Sequence, residues 1–149
     1  MGTICSFRIE AKRFDISLEA SNAKQVNIKE SGKQHVYSVY MSKEGVRWLS
    51  KCVEEHATRE AEPSFLCTYR ENNLGFVISR NGNNYGRFVE LLVYGKGGLK
   101  GRLVIPEGQK QSGWWGFISK LRPVLESCKT NNIETVVASS PITRNTQQD

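Results

Sequence analysis

Histidine occurs twice and proline four times in these 149 residues, and apolar residues nowhere run unbroken to the length of a membrane span. Crossing a bilayer as a helix takes about eighteen such residues, so no integral membrane segment is expected. No basic-then-apolar secretory leader opens the chain, and an intracellular protein, nuclear or cytoplasmic, is the expectation. Catalytic signatures are missing as well. His35 and His56 fall in different elements with no Cys, Ser or Asp at motif spacing, and Glu54 and Glu55 lie on the solvent side of a helix. "GKGGLKG" lacks the G-x-x-x-x-G-K-[ST] order of a phosphate loop and reads as strand, turn, strand. Cys5, Cys52, Cys67 and Cys128 are never closely spaced. A zinc knuckle or redox motif is therefore not expected, and all four read as small core residues in a reducing compartment. Neither an enzyme, nor a metal site, nor a cofactor is expected.

What the chain does have is positive charge. Its 21 Lys and Arg against 15 Asp and Glu leave +6, which points to phosphate-rich partners, nucleic acid or an anionic membrane surface. With 38% hydrophobic residues the chain can fold as one domain around a real core. "MGTICS" also fits an acylation signal, with Gly2 as the lipidation site, Ser6 in place and Cys5 as a palmitoyl acceptor.

Alternating apolar residues mark short strands at "FRIEA", "RFDISLE", "QVNIKE" and "HVYSVYM". Ser42 then caps a helix with Val46, Leu49 and Val53 on one face. After the polar "ATREAEP" the pattern recurs. "SFLCTYR" resembles "SFRIEAK", "FVIS" resembles "FDIS", and "FISKL" resembles "WLSKC". That alignment pairs Ser6 with Ser64, Phe14 with Phe76, Val26 with Val89, and Trp48 with Phe117. Trp114, Ile118, Leu121 and Leu125 form the apolar face of the second helix, which Pro123 is expected to kink or shorten. The fold class is α+β: two ββββα repeats burying each other's apolar faces about a pseudo-twofold axis. The domain is expected over 1–130, with repeat I at about 5–57, a linker at 58–63, repeat II at about 64–128, and a flexible tail at 129–149.

Strand periodicity sends Val89, Leu91 and Val93 inward, so Phe88 shares the opposite face with Glu90, Leu92 and Tyr94. The next strand places Arg102 and Val104 on that side too. Over residues 80–110, Arg80, Arg87, Lys96, Lys100, Arg102 and Lys110 are opposed only by Glu90 and Glu107. Cations on a sheet attract phosphates and an exposed ring stacks on a base, the combination that binds single strands. Arg87, Lys100, Arg102 and Phe88 are the candidates this reading supplies.

Taken together, "AKRFDISLEASNAK", "FLCTYRENNLGFVISRNGNNYGRF" and the Gly86-Arg87-Phe88 step resemble the PUR family of purine-rich single-strand binding proteins, over about Ser6 to Glu126. The resemblance implies intertwined ββββα repeats and non-catalytic binding of single-stranded, guanine-rich DNA or RNA on the sheet faces, helped by an inserted aromatic. It implies binding roles for Lys12, Arg13, Asn22 and Lys24 in repeat I, and for Arg70, Asn72, Arg87 and Phe88 in repeat II. The first repeat departs from the family, with Ala23-Lys24-Gln25 where Gly-Arg-Phe is expected, and Gly75 replaces a basic residue in the second. Repeat II is thus expected to be the stronger half, and a monomer or weak homodimer is expected. The Whirly family shares the strand-helix plan and ranks second, lacking its lysine-rich strand motif here. Rivals of another class are a degenerate PUR-like module for protein partners, and an adaptor tethered through acylated Gly2.

Overall fold

The computed structural model describes residues 2–18, 25–58 and 66–136, with side chains over 5–18, 25–58 and 66–126. The first repeat comprises β1 (Gly2–Ile9), β2 (Lys12–Leu18), β3 (Gln25–Ser31), β4 (Val36–Ser42) and α1 (Lys43–Thr58). The second comprises β5 (Leu66–Glu71), β6 (Leu74–Asn83), β7 (Gly86–Gly95), β8 (Gly98–Pro106), a 3-10 turn (Gln109–Gln111) and α2 (Ser112–Val136). Each set of four strands forms its own antiparallel meander, β1-β2-β3-β4 and β5-β6-β7-β8. This is the ββββα tandem that the repeat pattern implies. Among the described residues no helix is long and apolar enough to cross a membrane.

The repeats are intertwined. Trp48 of α1 stacks on Tyr69 of β5 and meets Phe76 of β6 edge-on, so the first helix, besides touching β3 and β4 of its own repeat, reaches the second sheet. Phe117 of α2 packs edge-on against Phe7 of β1 and Phe14 of β2, so the second helix lies on the first sheet. Phe14, Phe76 and Phe117 are fully buried, and a single core runs through both halves. Neither repeat can close its core without the other's helix, which makes the pair the folding unit.

This register corrects one of the sequence pairings. Phe7 lies opposite Phe14, and Tyr69 lies opposite Phe76, so Tyr69 is the counterpart of Phe7 and Thr68 that of Ser6. Ser64 itself lies outside the described residues. The shared "SF" dipeptide matched by letter, whereas cross-strand pairing with the next strand defines equivalence. The turn "ASNAK" and most of the expected linker also lie outside the described residues.

Capping fixes where α1 starts. Ser42 Oγ accepts from the Gly45 N–H at 3.1 Å. Glu71, from the far end of β5, accepts from the Ser42 N–H at 2.8 Å and from its hydroxyl at 2.6 Å, while Tyr69 donates to the same carboxylate at 2.8 Å. The cap is thus held across the repeat boundary. Ser42→Ala should cost about 1–2 kcal/mol in urea-induced unfolding, with the slope of the transition unchanged. A loss within a few tenths would show that the cap carries little weight.

α2 begins tightly against its own sheet. A Cβ at Gly113 would stand 2.2 Å from the Pro106 carbonyl oxygen, and the Gly113 N–H donates to the Glu107 carbonyl at 2.7 Å. Of the two effects expected of Pro123, a kink or a shortening, the shortening does not occur: α2 continues through it to Val136. Pro123 faces solvent, while Leu121 and Val124 on either side are buried and hold the helix to the core. Proline removes one intrahelical hydrogen bond, and the packed flanks outweigh that loss.

The reduced-cysteine expectation is also corrected. Cys52 of α1 and Cys67 of β5 are joined in a disulfide, and Cys5 is free and half-buried. Because α1 reaches the second sheet, two thiols fifteen positions apart come together across the repeat boundary. The side chain of Cys128 is outside the described set.

Candidate nucleic-acid interface

The outward face of the second sheet is built from cross-strand rows. One row is Arg70, Gly75, Tyr94 and Leu99, and the next is Thr68, Val77, Leu92 and Arg102. Leu66, Ser79, Glu90 and Val104 follow, and then Asn81, Phe88 and Pro106. This face carries the exposed apolar side chains Leu66, Tyr94 and Leu99. The matching face of the first sheet has the more charged rows Arg8-Arg13-Ser31-Val36 and Ser6-Asp15-Lys29-Ser38, with Val36 and Tyr40 as its exposed apolar side chains. Two faces related by the repeat therefore present different chemistry.

β6 and β7 extend beyond the sheet as a long hairpin. Its turn is set by Asn83, whose Oδ1 accepts from the Tyr85 N–H at 2.8 Å, and by Gly86 at φ 137°, a left-handed value that glycine tolerates. Tyr85 at the tip is 93% exposed. At the foot of this hairpin a cleft of roughly 510 Å3 opens between the repeats. Tyr85, Arg87, Phe88, Pro106 and Glu107 form one wall, and the β1–β2 turn with Lys12 forms the other. Phe88 is half-buried on the outward side of β7, while Val89, Leu91 and Val93 are buried on the inward side. The ring thus lines the cleft.

The candidate cations are less available than their count implies. Arg87 makes a two-point ion pair with Glu107, Nε to Oε1 at 2.9 Å and Nη2 to Oε2, and its guanidinium lies 5.7 Å from the centre of the Trp114 ring. Arg102 pairs with Glu90 at 2.7 Å and sits 5.4 Å from the centre of the Tyr37 ring. Lys12 donates to Glu30 at 2.8 Å and to the Val104 carbonyl at 3.3 Å. Arg13 pairs with Asp15 at 3.2 Å. Lys100, Arg70 and Asn72 are exposed, and Asn22 and Lys24 fall outside the described residues.

Two details revise the charge pattern. Arg80 does not belong to the outward basic face. It is buried beside Phe76 and Ile78, and its guanidinium donates to the His56 carbonyl at 3.3 Å. At Gly75, where a basic residue was expected, an added Cβ would meet Arg70 Nη1 at 3.4 Å. The neighbouring strand supplies the cation there.

The cleft therefore brings together Lys12, Arg87 and Phe88, whereas Arg70, Asn72 and Lys100 lie toward the opposite end of the same sheet. Tyr85 was not singled out from the sequence. Its signal was the turn-rich "NGNNYG", which presents an aromatic at a hairpin tip.

No protein-family model matches the chain, and no curated protein matches it. Among solved structures, the chain is similar to the crystal structure of WHY3 from Arabidopsis thaliana. The match has 12% identity, covers 93% of this chain and 98% of that one, and has a TM-score of 0.40.

Proposed function

We propose that this chain binds single-stranded DNA or RNA without catalysis, along the outward face of the second sheet and into the cleft at its foot. The observation that carries the reading is the convergence of Phe88 and the exposed Tyr85 with Arg87 and Lys12 around one opening large enough for a base. Phe88 stacks on or wedges beside a base, Tyr85 offers a second ring, and Lys100 and Arg70 meet phosphates farther along the strand. Arg87 and Arg102, held by carboxylates, act as oriented donors more than as bulk positive charge. A preference for purine-rich strands and membership of the PUR family belong to the same proposal, as does an intracellular setting.

A fluorescent guanine-rich single strand titrated across a salt series tests this. Affinity should fall roughly tenfold or more between low and physiological salt, as phosphate contacts release counterions. Phe88→Ala should weaken binding by about 1–3 kcal/mol, roughly fivefold to a hundredfold, with the unfolding midpoint little changed. Absence of binding even at low salt would sink the reading.

A second reading keeps the scaffold for a protein partner. It is favoured by the ion-paired state of Arg87 and Arg102 together with the apolar Leu66, Val77, Leu92 and Leu99 on the same face. Under that reading the salt series is flat.

A further inference from the structure

Cys52 and His56 stand one turn apart on α1 and are both buried. Cys67, half-buried on β5, reaches them from the other repeat, and one ligand atom from each of the three residues lies within 4.8 Å of the others. No sequence rule for metal sites sees this, since the motif is split between a helix and a strand and completed only by the intertwined packing. Spacing of four along a helix does put Cys52 and His56 on one face.

We propose that, once Cys52 and Cys67 are reduced, they and His56 form a binding site for zinc, and that oxidation to the disulfide expels the ion. Two thiolates and one imidazole are a donor set suited to Zn2+, with a fourth position left for water. Ligand atoms bonded to tetrahedral zinc stand roughly 3.3–3.8 Å apart, a spacing that a three-atom cluster of this size reaches with small side-chain rotations. Arg80, buried on β6, donates to the His56 carbonyl at 3.3 Å and so ties the end of α1 to the second sheet.

The chemistry balances with ordinary cellular reagents. Two molecules of a monothiol such as glutathione give two electrons and two protons to the Cys52–Cys67 bond and leave as their own disulfide. Zinc then binds, and the two thiol protons pass to solvent, leaving a neutral ion-dithiolate unit in a buried setting. In reverse, hydrogen peroxide takes two electrons from the bound thiolates. The Cys52–Cys67 bond re-forms, and the peroxide with two protons becomes two waters as the ion departs. In either state a covalent or coordinate link ties α1 of the first repeat to β5 of the second. The site therefore reports redox state without untying the repeats.

Cobalt titration of the full-length chain, reduced and held without oxygen, gives the test. One equivalent of Co2+ should bind with thiolate-to-cobalt charge-transfer absorption, and Zn2+ should displace it. The disulfide form should show no such band. Cys67→Ser, which removes one of the two thiolates, should cut the charge-transfer intensity at saturation by about half, and His56→Ala should weaken binding at least tenfold. Because these variants touch the core, a second measurement uses the unaltered chain. Zinc should slow alkylation of reduced Cys52 and Cys67 at least tenfold, read by peptide mass spectrometry, while Cys5 and Cys128 label at unchanged rates. Equal labelling with and without zinc, or a cobalt spectrum lacking thiolate bands, overturns the proposal.

Discussion

Replacing Glu30 with alanine should destabilise the domain by about 3–5 kcal/mol, the cost of leaving a buried charge without its partner. Glu30 points inward from β3 and is fully buried, at the place where the second repeat has Val93. Its Oε2 accepts from Lys12 Nζ at 2.8 Å and lies 2.7 Å from His35 Nε2, while Oε1 accepts from the Val104 N–H at 2.7 Å. Val104 belongs to β8, the last strand of its sheet, so its N–H and C=O have no further strand to pair with. Glu30 takes the N–H and Lys12 takes the C=O at 3.3 Å, which closes the edge of one sheet with an ion pair from the other. Alanine would strand a backbone donor and an ammonium in the interface at once. Glu30→Gln keeps one acceptor but turns an amide donor toward another donor, and should fall between wild type and alanine. Urea titrations near neutral pH measure all three. A loss below 1 kcal/mol for alanine would mean that water or rearranged neighbours satisfy the freed groups.

The same pair shows what a sequence can and cannot disclose. Periodicity was enough to find the strands, the two helices, the Ser42 cap and the repeat, because apolar spacing is a local property of each element. It also set the side of β7 on which Phe88 stands. It did not reveal which sheet each helix covers, since an apolar stripe names a face and not its partner. The crossing of Trp48 onto Tyr69 and Phe117 onto Phe14 is a tertiary choice. Everything that depends on that crossing was hidden too, including the Cys52–Cys67 contact and the Glu71 cap.

Charge was the least legible quantity. Counting residues gave a basic surface, yet Arg87, Arg102 and Lys12 have carboxylates twenty, twelve and eighteen positions away in sequence, respectively, at hydrogen-bonding distance. Such pairs depend on strand register, which composition does not encode. Arg80 has the parity of Phe76 and Ile78, so alternation alone would have sent it inward. Phe88 is half-buried because the β1–β2 turn of the first repeat faces it across the cleft, a neighbour that strand parity within the second repeat could not supply.

His56 should make the fold sensitive to mild acid. It is buried on α1, and burial first, then the nearby Arg80 charge, lowers its pKa from 6.5 to about 4. Above the ordinary value the ring is neutral in folded and unfolded chains alike, and pH changes nothing through it. Between 6.5 and about 4 the unfolded chain binds a proton that the folded chain refuses, so stability falls as the solution is acidified. Below about 4 both forms are protonated and the loss levels off. At 1.36 kcal/mol per pH unit that interval amounts to on the order of 3 kcal/mol. The measurement is urea unfolding of the oxidised chain with chelator present, from neutral pH down to about 4, beside His56→Gln. Carboxylates contribute to both proteins and cancel in the difference. Relative to wild type, the variant should therefore gain on the order of 3 kcal/mol over this range, whatever its stability at neutral pH. Parallel curves would show that the ring takes up its proton inside the fold, and that the contact between α1 and the second sheet opens to water more readily than its burial implies.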